Sequence, residues 1–177
     1  MRVTTARRIA RATTARRLSR DQPSSIGSRA RRRLTVRGHS VPGHTRGSMV
    51  YEVFSRAAPE APSIAFTGDT LFCGGCGALF ECSSNTLHNS LGALTQRLKP
   101  ETLLYPGHEY SEMLMRMAVR REPSNEAAKA KLAQVRSMRS RREPSLPTTL
   151  RDELNYNVYL SASPQQLAEM CGAAYDD

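Results

Sequence analysis

The sequence contains no tryptophan and few other aromatic residues, with only four Phe and six Tyr among 177 residues. Mean hydropathy is -0.50, and no stretch approaches the roughly 18 consecutive apolar residues of a membrane-spanning helix. The N-terminus shows no secretory signal pattern, and Cys73, Cys76, Cys82 and Cys171 are the only cysteines. These absences argue against a membrane partner and a disulfide scaffold, and favour one soluble domain in a reducing compartment.

The net charge of +10 is concentrated at the N-terminus. Residues 1–40 hold 12 Arg, no Lys and a single acid, Asp21, so this segment carries +11 and the rest of the chain carries -1. The segment contains an imperfect repeat, TTARRIAR followed by TTARRLSR, and has too few apolar residues to pack a core. We therefore predict that residues 1–40 form a disordered Arg-rich tail.

Three interpretations of this tail remain open. An Arg-rich, Ser/Thr-rich and acid-poor composition is typical of a mitochondrial transit peptide, so we expect a cytoplasmic or mitochondrial location. Clustered Arg residues can also bind phosphate backbones, but no aromatic residue is interleaved for base stacking, and we do not expect a nucleic-acid partner. Alternatively, the segment comes from a mis-set start codon or exon boundary and has no function.

Cys73 and Cys76 are separated by two glycines and have the CxxC spacing of redox dithiols and of half zinc sites. A structural zinc needs a second closely spaced pair, which Cys82 and Cys171 do not provide. A redox dithiol places its first cysteine at a helix N-terminus, whereas the glycines here indicate an irregular loop. Packing within a loop is therefore the favoured interpretation, with redox chemistry as the alternative.

The body of the chain alternates predicted strands and helices, which predicts an α/β fold with a helical C-terminal end. Residues 49–55 and 63–67 are predicted to form a hairpin around a Pro-containing turn. Asn85 is predicted to cap a helix with a single apolar stripe, formed by Leu87, Leu91, Leu94 and Leu98. Further elements are predicted as a strand at 102–105 and helices at 109–121, 124–141, 148–154 and 164–170.

Three turns at predicted strand ends carry residues that can bind a metal, namely His44, Asp69 and His108. Two imidazoles and a carboxylate at one sheet edge form a ligand set that suits a borderline-soft divalent cation. Each motif taken alone is equally typical of a solvated turn. From the residues alone, a metal site and three ordinary turns both remain open.

Five segments resemble, in order, the C-terminal half of glyoxalase II (hydroxyacylglutathione hydrolase): VPGHTRGSMVYEV, IAFTGDTLFCGGCGALFEC, LLYPGHEY, EPSNEAAKAKL and EPSLPTTLRDELNYNVYL. This family comprises binuclear-metal thioester hydrolases of the metallo-β-lactamase fold, and the similarity covers residues 41–160. The resemblance implies half of an αββα sandwich at residues 41–122, followed by the family's helical C-terminal region at 123–177.

The resemblance also implies a reaction: hydrolysis of S-2-hydroxyacyl (lactoyl) glutathione or trypanothione thioesters by a metal-bound hydroxide. The products would be a 2-hydroxy acid (D-lactate) and a free thiol, as in methylglyoxal detoxification. The implied cofactors are two divalent metals, zinc with iron or manganese as alternatives. Asp69 would be the catalytic carboxylate that bridges both metals, with His44 on one metal and His108 on the other. The implied substrate contacts are Tyr110, Ala78 and Phe80.

The sequence departs from the family in its metal ligands. It lacks the THxHxDH motif that supplies four further ligands, and the family's five histidine ligands exceed the four histidines present. His39 is a candidate substitute for one ligand, whereas His88 is expected on the solvated flank of the leucine-striped helix. We therefore expect a truncated form with an incomplete site. A non-catalytic remnant that serves as a binding or interaction module is the alternative.

A second departure concerns the substrate thiol. Family members that use glutathione place a basic residue and a Tyr in the loop that here reads Ala78-Leu79-Phe80, and no basic residue follows Arg151. A neutral loop resembles the trypanosomatid branch, which uses trypanothione. In that thiol both glycine carboxylates are amidated to spermidine, so the loop needs no cation to pair with a carboxylate.

Overall fold

The computed structural model describes residues 34–171 as a mixed sheet with helices packed on one face. Its strands are β1 Leu34–Ser40, β2 Met49–Ser55, β3 Ile64–Gly68, β4 Leu71–Phe72, β5 Gly75–Cys76, β6 Leu103–Pro106 and β7 Thr148–Thr149. Its helices are α1 Ser84–Arg97, α2 Ser111–Arg121, α3 Glu126–Ser140, α4 Leu150–Tyr156, α5 Val158–Ser161 and α6 Pro164–Cys171. This arrangement confirms the predicted α/β class.

The main sheet has the strand order β1-β2-β3-β6-β7, and β4 and β5 form a separate short hairpin. β2 pairs antiparallel with both β1 and β3, whereas β3 and β6 are parallel. The hairpin predicted for residues 49–55 and 63–67 is therefore confirmed, with Tyr51 opposite Phe66 in the register. The crossover from β3 to β6 carries the β4–β5 hairpin and α1.

The two faces of the sheet are covered to different extents. Alternate strand residues point to opposite faces, and Val50 and Ala65 are fully buried on the face that carries the helices. The opposite face is apolar at its β1–β2 end, but there the side chains are 36–67% exposed in the described part of the chain: Leu34, Val36, Met49 and Tyr51. Within the described residues, helices therefore pack on only one face of this sheet.

Helix α1 packs through the predicted leucine stripe, whose members are at most 4% exposed. The predicted cap is wrong by two residues. Ser83, not Asn85, is the N-cap, and its hydroxyl accepts a hydrogen bond from the Thr86 backbone N–H. Ser and Asn are both good caps, and the leucine periodicity does not distinguish between them because it begins only at Leu87.

The C-terminal helices follow the sequence pattern closely. α2 begins two residues later than predicted, and α3 begins at Glu126, with the Asn125 side chain accepting from the Ala128 N–H. The helix predicted at 148–154 begins only at Leu150, because Thr148–Thr149 pairs with β6 and Thr149 then caps α4. No helix within residues 34–171 is long and apolar enough to cross a membrane.

The tail predicted for residues 1–40 is wrong at its C-terminal end. Leu34–Ser40 forms β1 and pairs along its whole length with β2. In this strand the polar residues Thr35, Arg37 and His39 alternate with less polar ones, which is a strand pattern. The Arg residues just before Leu34 made the segment look like part of the charged tail. The rest of the predicted tail lies outside the described residues, and the domain boundary proposed near residue 122 stays a prediction.

Candidate metal centre

Three turns converge at one edge of the sheet because of the strand directions. His44 lies in the turn after β1, Asp69 directly follows β3, and His108 lies two residues after β6. β1 and β3 are both antiparallel to β2, and β6 is parallel to β3, so the carboxyl ends of β1, β3 and β6 lie at the same edge. The fold thus brings together the three residues that the sequence singles out.

Both imidazoles approach the same carboxylate oxygen. His44 Nε2 lies 3.6 Å and His108 Nε2 lies 3.4 Å from Asp69 Oδ2. His44 Nδ1 lies 2.7 Å from the Ala78 carbonyl oxygen. A carbonyl only accepts, so Nδ1 carries the proton and donates, which leaves the lone pair of a neutral His44 on Nε2, facing Asp69. Such a backbone contact fixes the tautomer and ring orientation that a metal-binding histidine requires.

Two glycines allow the turns to approach so closely. A Cβ on Gly77 would lie 2.0 Å from the Asp69 backbone oxygen and 3.0 Å from His44 Nδ1. A Cβ on Gly107 would lie 2.5 Å from Asp69 Oδ1, and the Gly107 N–H donates to the Gly68 carbonyl over 2.8 Å. Any side chain at these two positions would therefore push the turns apart.

The turn that carries His44 is closed by its own hydroxyl groups. Ser48 Oγ accepts from the Thr45 backbone N–H over 3.1 Å and lies 2.9 Å from Thr45 Oγ1. The Val41 N–H donates to the Ser48 carbonyl over 3.0 Å, which completes the loop between β1 and β2. Ser48 thus holds the shape of this turn.

Aromatic rings flank both imidazoles. His108 and Tyr110 are stacked, with ring centroids 4.9 Å apart and an interplanar angle of 10°, and Phe72 meets both rings edge-on. Phe80 lies 4.6 Å from the His44 ring and is 73% exposed. Of the three predicted substrate contacts, Tyr110 and Phe80 therefore flank the site, while Ala78 supplies the carbonyl that orients His44. Their roles toward substrate stay predictions.

The other two histidines take no part in this cluster. His39 is 5% exposed, and its Nε2 lies 3.3 Å from Glu52 Oε2, which Arg37 also contacts. The suggestion that His39 substitutes for a metal ligand has no support in this geometry. His88 lies on the exposed side of α1, as predicted, with Nδ1 3.1 Å from the Ala162 carbonyl.

The donors at this edge have the right chemistry for a divalent cation but do not complete a site. Two imidazoles and a carboxylate suit zinc, and also iron or manganese. Within residues 34–171, however, no group of three or more His, Cys, Asp and Glu side chains is arranged to hold a metal ion by itself. His44, Asp69 and His108 thus fit a metal site that needs further ligands.

Known proteins are similar in sequence to this chain. Residues 109–177 match the family profile of the hydroxyacylglutathione hydrolase C-terminus. A hydroxyacylglutathione hydrolase from Chelativorans sp. (strain BNC1) is 42% identical over 120 residues, covering 68% of this chain and 44% of that protein. The C-terminal part of this chain belongs to the family of the hydroxyacylglutathione hydrolase C-terminus. A hydroxyacylglutathione hydrolase-like protein from Gallus gallus is 34% identical over 139 residues, covering 78% of this chain and 49% of that protein.

The chain spans about half the length of these curated hydroxyacylglutathione hydrolase relatives. The fold is also shared with a metallo-beta-lactamase from Staphylococcus aureus subsp. aureus COL, with a TM-score of 0.55 and 15% identity. That match covers 90% of this chain and 39% of the other. The predicted glyoxalase II resemblance and metallo-β-lactamase fold are thus confirmed.

A buried polar network in this hydroxyacylglutathione hydrolase region ties the helical end to the site, and no sequence motif indicates it. Glu153 is 0% exposed. Its Oε2 accepts from the Gly74 backbone N–H over 2.9 Å and from Asn157 Nδ2 over 2.8 Å, and its Oε1 accepts from the Tyr156 hydroxyl over 2.8 Å. Asn157 Nδ2 also donates to the carbonyls of Phe72 and Gly75. α4 therefore holds the β4–β5 hairpin, which begins two residues after Asp69.

Glu109, the acid of the GHEY motif, has a similar structural role. Its Oε1 accepts from the Ser145 backbone N–H over 2.7 Å and from the Ser145 hydroxyl over 2.8 Å, and Arg139 contacts both carboxylate oxygens. The segment after α3 is thereby tied to the residue next to His108. The C-terminal helical region thus supports two segments beside the candidate metal centre. One is the β4–β5 hairpin after Asp69, and the other is the turn that carries His108.

Proposed function

We propose that this chain supplies one half of a metal-dependent hydrolase of S-2-hydroxyacyl thioesters. The observation that carries the proposal is the convergence of His44 Nε2 and His108 Nε2 on Asp69 Oδ2. The hydroxyacylglutathione hydrolase relatives support a thioester as the substrate class. The products would be a 2-hydroxy acid, such as D-lactate, and a free thiol.

The three side chains divide the work by their chemistry. Asp69 has two carboxylate oxygens at the centre of the cluster and would contact two cations, with His44 serving one cation and His108 the other. When bound, divalent cations supply Lewis acidity toward a thioester carbonyl and toward water. The Ala78 carbonyl fixes the His44 tautomer, so Nε2 is free to bind without losing a proton.

The residues around the centre favour a thioester substrate whose thiol part is neutral or positively charged. Phe80 and Tyr110 are 73% and 45% exposed, and each lies against one of the two imidazoles. No cation occurs in the Ala78-Leu79-Phe80 loop to pair with a glutathione carboxylate. We propose that a trypanothione-type thiol, with amidated carboxylates, is preferred over glutathione.

The proposed activity needs a second polypeptide segment. Relatives are about twice as long as the matched region, and the exposed apolar side chains of β1 and β2 offer a surface on which such a segment can pack. The missing ligands would come from that segment, as the THxHxDH motif of the family implies.

Co-expression tests this proposal. The full chain is co-expressed with the part of the Chelativorans relative that lies outside the matched segment, and the purified complex is assayed for thioester hydrolysis. We expect activity that Asp69→Ala removes, while the matched control His88→Ala retains it, since His88 lies on the exposed side of α1. A stable complex that contains metal but hydrolyses no thioester would contradict the proposal.

A non-catalytic interaction module is the second candidate. The apolar strip formed by Leu34, Val36, Met49 and Tyr51, which is exposed in the part of the chain that the structure describes, favours it, because such strips usually mark contact surfaces. The same co-expression experiment separates the two candidates. A module would form the complex through this strip, and its complex would be equally inactive with Asp69 or Ala at position 69.

A further inference from the structure

Two cysteines that are distant in sequence meet beside the candidate metal centre. Cys76 lies in β5 and is 6% exposed, and Cys171 is the last residue of α6 and is half-buried. Their sulfur atoms are 3.6 Å apart, although 95 positions separate them in the chain. This separation is van der Waals contact between two thiols, so a modest side-chain movement reaches the bond length of about 2.05 Å.

We propose that Cys76 and Cys171 form a reversible disulfide that links the end of α6 to the β4–β5 hairpin. The proposal concerns a modification site and does not depend on thioester hydrolysis. The CxxC spacing of the sequence points to a different pair, Cys73 with Cys76. In the structure Cys73 Sγ instead lies 3.9 Å from the Tyr156 hydroxyl, so each sulfur of the CxxC motif has its own partner.

The environment of the two thiols assigns their roles. The hydrogen bond from Cys76 lowers the pKa of the Cys171 thiol, although burial opposes this shift. The same hydrogen bond, together with burial, raises the pKa of the Cys76 thiol. Burial also raises the pKa of Cys73, to about 11, which keeps that thiol protonated and unreactive. The thiolate is the attacking form, so the half-buried Cys171 is the nucleophile.

The oxidant in this proposal is a low-molecular-weight disulfide, RSSR. The Cys171 thiolate attacks one sulfur of RSSR, forming a mixed disulfide and expelling RS⁻. Cys76 then loses its proton to solvent and attacks Cys171 Sγ, which forms the protein disulfide and expels the second RS⁻. RSSR is reduced to two RSH molecules, and the protein loses two protons and two electrons.

The link would fix a segment that touches the candidate metal centre. Cys76 precedes Gly77, whose Cα faces the Asp69 backbone oxygen and the His44 ring so closely that no Cβ fits. A disulfide at Cys76 therefore restrains the loop that carries Ala78, the hydrogen-bond acceptor of His44. It also joins that loop to the C-terminal helices through a second attachment besides Glu153 and Asn157.

The experiment uses the full chain with oxidised glutathione as the probe, followed by reduction with dithiothreitol. The variant Cys73→Ser/Cys82→Ser retains only the proposed pair. It should lose both titratable thiols, with a mass decrease of two hydrogen atoms, and its unfolding midpoint should rise by about 5 °C or more. In the wild type, peptide mapping should show one Cys76–Cys171 link and two free thiols.

The control variant Cys171→Ser changes a half-buried position and keeps the other three cysteines. It should form no intramolecular disulfide under the same conditions. Three results would overturn the proposal: a Cys73–Cys76 bond in the wild type, a stable glutathione adduct in place of the internal bond, or unreacted thiols in Cys73→Ser/Cys82→Ser. The thiol count is read after unfolding in denaturant, because the Cys76 thiol is buried in the native protein. Circular dichroism before unfolding shows that each variant is folded.

Discussion

Removing the Glu153 carboxylate should lower the free energy of unfolding measurably. In Glu153→Ala the buried Gly74 N–H loses its acceptor. The two N–H groups of Asn157 Nδ2 keep the carbonyls of Phe72 and Gly75, and the Tyr156 hydroxyl keeps Thr148 Oγ1 at 2.6 Å. Each buried donor left without its partner costs about 1–3 kcal/mol. The expected loss is therefore about 1–3 kcal/mol, against a typical total of roughly 5–15 kcal/mol.

Glu153→Gln should be much less destabilising. Its carbonyl oxygen can accept from Gly74 and Asn157, and its NH₂ can donate to the Tyr156 oxygen, which then donates to Thr148. Urea unfolding at constant pH measures both variants. Glu126→Gln, whose parent side chain is 81% exposed, serves as the matched control. A Glu153→Ala variant within about 0.5 kcal/mol of that control would refute the reasoning.

The pH dependence has a definite sign. Burial raises the pKa of Glu153 above its ordinary value, although four hydrogen bonds oppose the shift. The folded state therefore binds this proton more tightly than the unfolded state, whose Glu pKa is about 4.3. The contribution of this group is fully present below about pH 4.3 and is lost as pH rises through the folded pKa. The stability of the wild type relative to Glu153→Gln should fall over that range.

Three further changes test the core and the candidate site. Gly77→Ala should lower the free energy of unfolding by about 2–3 kcal/mol, because the new Cβ would meet the Asp69 backbone oxygen, whereas Gly47→Ala has open space and should change little. Leu94→Ala, at a fully buried position, should cost about 3 kcal/mol in thermal or urea unfolding. In a completed enzyme, Ala78→Lys should shift kcat/KM toward the glutathione thioester roughly tenfold, and an unchanged ratio would contradict the proposed thiol preference.

Elements whose residues show a clear local pattern of hydrophobic and turn residues could be predicted from the sequence. The leucine stripe of α1 and the hairpin at 49–55 and 63–67 follow from hydrophobic periodicity and turn residues. β1 was missed because an Arg-rich run precedes it, and its pairing with β2 supplies the stability that its own composition does not show. The cap of α1 was misplaced because Ser83, Ser84 and Asn85 are all suitable caps.

The candidate site was predictable in its residues but not in its supports. Their positions after predicted strands indicated His44, Asp69 and His108 as candidate metal ligands. The strand directions then place all three at one edge of the sheet. The contact of Glu153 with Gly74 spans 79 positions, and the contact of Cys76 with Cys171 spans 95. Neither pair belongs to a local motif, so only the tertiary fold reveals them.

Zinc affinity of the full chain tests the central claim most directly. A competition titration against a chromophoric chelator compares the wild type with Asp69→Ala and the control His88→Ala. Weak binding is expected for the wild type, because the described residues offer only His44, Asp69 and His108. Asp69→Ala should weaken it at least about 10-fold further, and His88→Ala should leave it unchanged. Equal affinity of the wild type and Asp69→Ala, or two tightly held metals per chain, would contradict the account.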